Sequence, residues 1–262
     1  MVSSYFRLAW TWTRAAMAYP ASFALMTVLG LLVAGTDVAV ILIIFANTTS
    51  LAGFSRAETL FLYGTANLAF CLCDMFVSNL DRISQHIKAG TFDTMLIRPV
   101  STWIQMAADR FLPTRVGRVL QAGIVLGYSI SALDLGAGRL WMVPVMIATG
   151  VVIFASLWTL AGAVQFVLTD APEVTSAFTY GSGQLTQYPL AIYGRELVRG
   201  VTYGLPLAFV NWQPALYVLG RDDPFGTPGF MRFLGPVAAL VLALFAGFAW
   251  RLGIRHYRST GS

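Results

Sequence analysis

The chain has 262 residues, 57% of them hydrophobic and only 11% charged, with a formal net charge of +5. A soluble domain carries roughly 25% charged residues, so an ordinary globular protein is excluded. The apolar runs approach the ~20 residues a helix needs to cross a bilayer, not the ~10 of a barrel strand, and predict an all-α integral membrane protein. Its basic residues border apolar segments and are not interleaved with aromatics on a polar domain, which excludes a nucleic-acid partner.

In chain order, residues 1–19 predict an amphipathic helix lying at the membrane interface among lipid headgroups. Arg7 and Arg14 share a face one heptad apart, among Tyr5, Phe6, Trp10 and Trp12. The apolar stretch that follows exceeds the about 7–15 residues of a signal-peptide core, which argues against a cleaved leader. The first span runs from Ala21 to about Phe45 with Asp37 inside it, and the second from Ala57 to about Asn79. Cys71 and Cys73 lie inside the second span on different helix faces and read as packing residues. A polar cytoplasmic loop, residues 82–110, separates it from the third span, Val116 to Leu133. The fourth, Leu140 to Leu168, leads into a tight cytoplasmic turn from Asp170 to Glu173, and the fifth runs from Thr175 to about Tyr188.

Residues 188–224 are apolar but broken. Pro189, Pro206 and Pro214 each remove a backbone donor, and Arg195, Glu196 and Arg199 interrupt the apolar content. This predicts short re-entrant helices on the outer side, where protein covers the backbone. The last span is about Phe230 to Trp250, stopped by Arg251, Arg255 and Arg258. Counting Val201 to Gly220 as a further span would move those three arginines outside, so six spans are read, with both termini cytoplasmic. Arg7, Arg14, Arg82, Lys88, Arg98, Arg110, Arg115, Arg118, Arg251, Arg255 and Arg258 then face in, against Arg56, Arg139, Arg195, Arg199, Arg221 and Arg232 outside, an 11 to 6 split that obeys the positive-inside rule.

Within the polar loop the residues specify a short helix. Gly90 ends the preceding helix, Thr91 caps the new one, Asp93 complements its positive first turn, and Pro99 forces Arg98 out of helical geometry. The helix expected is Thr91 to Ile97, about 10 Å long. Phe92, Met95 and Leu96 fall at i, i+3 and i+4 as one apolar ridge on an element too short to be stable alone. Such a ridge either docks in a groove of another protein or folds back on the membrane surface.

The run Lys88-Ala89-Gly90-Thr91-Phe92-Asp93-Thr94-Met95-Leu96-Ile97-Arg98-Pro99-Val100-Ser101 resembles the cytoplasmic loop signature of ABC-2 type permeases. The ending from Trp250 to Ser262 is similar to that of a bacterial branch of the family without a large extracellular domain, and the order of apolar segments fits over nearly the whole length. The resemblance implies one transmembrane domain, residues 1–262, acting as the permease subunit of an ATP-driven exporter in the bacterial inner membrane. It implies that the loop is a coupling helix, with Lys88, Gly90, Thr91, Phe92, Asp93, Met95, Leu96, Arg98 and Pro99 engaging an ATPase subunit. Two ATPase subunits would serve each complex, with a second, identical or different, permease chain. ATP and Mg would be bound by those partners and no cofactor by this chain; the cargo falls among drugs, natural products, lipids and polysaccharides.

The chemistry of the chain agrees with that division of labour. Its only lysine, Lys88, follows no glycine-rich phosphate loop, and His86 and His256 stand alone. No G-x-S-x-G or H-E-x-x-H motif is present, so no active site is expected. Asp37, Asn67, Gln165, Gln184 and Gln187 lie within spans, where facing lipid is costly; they line a substrate path or bond neighbouring helices. Asp74, nearer the cytoplasmic end, reads as reaching the headgroups. The alternative function is an ATP-independent transporter or lipid scramblase, which would need a proton or ion relay for which Asp37 alone is a candidate; a non-transporting scaffold or sensor is a third.

Overall fold

The computed structural model describes residues 2–168 and 172–257, and these form a bundle of helices with no strand among them. Helix α1, Val2–Met17, is followed after a two-residue turn by α2, Pro20–Asn47, whose proline occupies the first turn, where its missing donor costs nothing. Helix α3, Arg56–Val77, is opened by a reciprocal cap: Ser55 Oγ accepts from the Glu58 amide, and the Ser55 amide donates to Glu58 Oε2 at 2.8 Å. A 3-10 stretch, Ser78–Arg82, joins α3 to three short helices: α4 (Ile83–Lys88), α5 (Thr91–Leu96) and α6 (Thr102–Ala108). Then come α7 (Val116–Ala132), α8 (Met142–Gln165) and α9 (Pro172–Thr186). Two further short helices, α10 (Arg195–Arg199) and α11 (Trp212–Leu219), precede α12, Gly235–His256.

Among the described residues, four segments are long and apolar enough to cross a membrane: Pro20–Asn47, Arg56–Lys88, Ala137–Gln165 and Gly235–His256. Helices α7 and α9 are shorter, with 17 and 15 residues, at or below the lower end of membrane-crossing length. The last helix starts later and runs further than its hydropathy suggests. Phe230 lies in a 3-10 turn, and Arg251 and Arg255 are inside the helix instead of ending it, because long basic side chains reach outward from a helix that continues past the apolar layer. Residues 169–171 and 258–262 lie outside the described residues, and with them most of the expected Asp170 turn and the end of the C-terminal signature.

Burial does not follow hydropathy in this bundle. Helix α3 is buried along most of its length between α7, α8 and α9, whereas α2, the most apolar helix, buries only Ala34 and Ile41. In lipid, apolar surface gains little by burial, so α2 can stay exposed while Phe61, Phe154, Trp158 and Trp212 pack at the centre beside buried polar groups such as Asn67 and Asp74. A Cβ at Gly64 would lie 2.9 Å from the Leu126 Cα, and one at Gly150 would lie 2.8 Å from the Ala69 Cβ. Glycine is therefore what lets α7 and α8 approach α3 so closely.

One end of the bundle gathers α1, α4, α5, α6 and the C-terminal end of α12: Tyr5 donates to the Phe76 carbonyl at 2.8 Å, and Tyr257 donates to Asp93 Oδ1 at 2.8 Å. The other end holds residues 188–234. Between Thr186 and Gly235 no helix among the described residues exceeds the eight residues of α11, so Val201 to Gly220 is not one membrane-length helix. This segment turns back into the bundle. Val210 touches α8 at Gly150, and Asn211 donates to the carbonyls of Leu62 (3.2 Å) and Thr186 (2.7 Å). That end is closed by Arg221, whose Nε and Nη2 bind the two Glu58 carboxylate oxygens at 2.5 and 2.9 Å, with the guanidinium 4.6 Å from the Phe54 ring centre.

Candidate coupling site

Helix α5 is a ledge fixed to the bundle. Gly90 adopts φ +67°, a left-handed conformation that turns the chain sharply between α4 and α5. Gly90, not Thr91, takes the N-cap position; Thr91 is the first helical residue, and its Oγ1 lies 2.8 Å from His86 Nδ1. The expected cap gives way because a left-handed glycine already redirects the chain. The helix ends at Leu96, one residue early, and residues 97–100 bend away through Pro99.

The expected ridge does not stand free. Phe92 is 0% exposed, with its ring centre 5.2 Å from Phe166 and 5.0 Å from Tyr257, and Met95 is buried in the same core. Only Leu96 keeps the role of an outward residue, joined by Ile97 at 85% exposure. The residue spacing placed Phe92, Met95 and Leu96 on one face, but it could not say which way that face turned. Two apolar side chains per helix are enough to hold α5 on its own chain's core, and the structure uses them so. The surface left open is Leu96, Ile97, Arg98 and Pro99 beside the exposed Lys88, with Asp93 turned inward to Tyr257.

Residues outside the motif fix this ledge. Gln105 on α6 donates from one amide to the carbonyls of Met95 (2.8 Å) and Val100 (2.7 Å), closing the bend. His86 reaches Asp109 Oδ2 with Nε2 at 3.2 Å, so it ties α4, α5 and the end of α6 together. Phe166 meets Trp250 at 5.4 Å, which fastens the ends of α8 and α12 to each other behind α5.

The polar residues of the bundle fall into separate sets. Asn67 Nδ2 donates to the Tyr63 hydroxyl (2.9 Å) and to Gln121 Oε1 (3.4 Å), and Gln121 Nε2 donates to the same hydroxyl (3.3 Å). Gln165 accepts from the Ser84 amide (3.0 Å) and donates to Thr175 (2.9 Å), so it bonds α4, α8 and α9. Asp37 is half-buried on α2, where Arg118 acts on it from α7. On α9 and just past its end, Gln184 is exposed and Gln187 buried.

Asp74 does not reach toward headgroups. It is 1% exposed, with Arg118 Nη1 3.0 Å from Oδ2 and Arg115 Nη1 3.4 Å from Oδ1, and Tyr180 donates to Oδ1 at 3.4 Å. Arg115 also bonds the Asp74 carbonyl (2.5 Å) and the Ser78 hydroxyl. A buried charge requires partners. Here they come from Arg118 in the first turn of α7 and Arg115 in the turn just before it, which looked from sequence like loop charge.

A protein-family model described as "ABC-2 family transporter protein" matches residues 31–261. The chain belongs to the ABC-2 transporter family. No curated protein and no solved structure gives a significant match. As an ABC-2 transporter, the chain is a multi-pass membrane transport subunit, and the family match begins within α2 and takes in the whole of the α4–α6 ledge.

The positions that sequence reasoning missed were Gln105, Asp109 and Tyr257, together with the Ser55–Glu58 cap. Only the last had a readable signal, the serine and glutamate three residues apart ahead of an apolar run.

Proposed function

We propose that this ABC-2 chain is the permease subunit of an ATP-driven exporter, with six spans, both termini and the α4–α6 ledge in the bacterial cytoplasm, and residues 188–224 on the outer side. The observation that carries the proposal is the two-sided construction of α5. Its inner side is locked to the ends of α8 and α12 through Phe92, Met95 and Asp93, and its outer side presents Leu96, Ile97, Arg98 and Pro99. A rigid mount below an open apolar tip suits an element that receives a push from a separate protein.

In this reading two ATPase subunits, which hold ATP and Mg, each seat one ledge, and a second permease chain completes the pathway. Closure of the ATPases displaces α5, and with it α8 and α12, between inward-facing and outward-facing arrangements. The cargo is a drug, natural product, lipid or polysaccharide. The experiment is co-expression and co-purification with a candidate ABC ATPase subunit from the same source. Ile97→Asp is expected to abolish the complex while the permease remains folded, and full retention of the ATPase by that variant would remove the coupling role from α5.

A further inference from the structure

Beside α12, at the end opposite the ledge, two cavities adjoin. The larger, about 670 Å³, lies between the returning segment at Tyr203, Pro206 and Phe209 and the face running from Leu234 along α12 to Phe245. The smaller, about 240 Å³, is lined by Arg195, Arg199 and Thr227, and the two share Thr202, Tyr203 and Pro228 as lining. An apolar body thus lies directly beside a basic mouth.

Its dimensions and exposure fit one kind of occupant. From Leu234 to Phe245 the helix rises about 16 Å, close to the ~15 Å of one hydrocarbon leaflet. Its sides are open, because Phe230, Val241 and Phe245 are all exposed. An alkyl chain can enter sideways from the bilayer without the backbone opening. At the mouth, Glu196 pairs with Arg199 at 2.9 Å, while no described side chain pairs with Arg195. Asp223 lies behind Thr227, but its carboxylate is already engaged by Gln213, Thr227 and the Phe225 amide, so Arg195 is left as an unpaired guanidinium lining the mouth, where an anionic headgroup would supply its partner.

We propose that this pocket is a resident site for one anionic phospholipid, its phosphate at Arg195 and Arg199 and one acyl chain along α12. The site stands on geometry and charge alone, so it survives if the coupling role of α5 fails. The test is native mass spectrometry of the full chain released from mixed micelles containing equal phosphatidylglycerol and phosphatidylcholine. Wild type is expected to retain one phosphatidylglycerol in preference to phosphatidylcholine. A basic residue near a membrane surface is worth about fivefold in binding an anionic lipid, so Arg195→Ala with Arg199→Ala is expected to reduce that retention about thirtyfold. Ala238→Trp, which fills the apolar body from a half-buried position, is expected to remove bound lipid of either class. Arg56→Ala, an exposed arginine at the same end, is expected to change nothing.

Equal retention of the two lipids by wild type, or retention unchanged in both altered proteins, would overturn the site and leave only the ordinary lipid annulus. A lipid-free dimer dissociated by Ala238→Trp would also overturn it, by assigning the groove to a second copy of the chain.

Discussion

Replacing Phe92 by alanine separates the two roles that α5 combines. The ring is fully buried and meets Phe166 and Tyr257 edge-on. Truncating a buried phenylalanine costs about 3–5 kcal/mol, and for a chain of this size each kcal/mol lowers the melting temperature by about 2–4 °C. A fall of about 6–20 °C is therefore expected. Cys71 and Cys73 are free and buried, so a thiol-reactive dye added to the detergent-solubilised chain reports the transition directly. Ile97→Asp serves as the counterpart. Its side chain is 85% exposed, and surface substitutions of that kind stay within about 0.5 kcal/mol, so melting should move by no more than about 2 °C. Affinity for the ATPase should nevertheless fall at least about tenfold, as a carboxylate replaces an apolar tip in a groove. The reasoning is refuted if Phe92→Ala melts like wild type yet loses the ATPase, because the ring would then face the partner and not the core.

Other perturbations test the bundle itself. Asp74→Asn leaves Arg115 and Arg118 facing an uncharged group and should cost about 3 kcal/mol, the lower end for a broken buried pair because both arginines are partly exposed; adding Arg118→Gln should recover part of the lost melting temperature, and no recovery would show that the pair is not coupled. Gly64→Ala must push against the Leu126 backbone and should destabilise by about 1–3 kcal/mol, so an unchanged melt would deny the close α3–α7 approach. Asp37→Asn should alter transport in reconstituted vesicles without altering assembly. Unchanged transport would make Asp37 a packing residue.

The parts of this fold legible in the sequence were those governed by one-dimensional rules. Long apolar runs located α2, α3, α8 and α12 within a few residues, and the three prolines of residues 188–224 correctly denied that segment a continuous helix. The glycine and proline of the loop bracketed α5. What could not be read was direction. The i, i+3, i+4 pattern of Phe92, Met95 and Leu96 is the same for a helix facing a partner and one facing its own core, and the choice was made by Phe166 and Tyr257, both more than 70 positions away in the chain. Arg115 and Arg118 likewise obeyed the inside-positive pattern while serving the buried Asp74. Asn67 and Gln165 read equally as lining for a path or as bonds between helices, and both do bond neighbouring elements, since in the apolar layer a side-chain amide satisfies itself first against its neighbours.

Helix α8 connects the two ends of the molecule on which the proposed mechanism depends. At one end Gly162 leaves room for Ile83 and the Leu80 carbonyl, and Phe166 meets Phe92 and Trp250; at the other Gly150 accepts Val210 from the returning segment. From Gly150 to Gly162 is about 18 Å of helix, and close-packed contacts at both ends transmit a displacement instead of absorbing it. A push on Ile97 would therefore reach Val210 and Asn211 by way of α8. Asn211 is bonded to α3 and α9, so the returning segment yields only if those two hydrogen bonds give way with it. An exporter built like this would move the returning segment at the same time as the ledge, with the Glu58–Arg221 pair, at the same end as the returning segment, as a contact resisting the change.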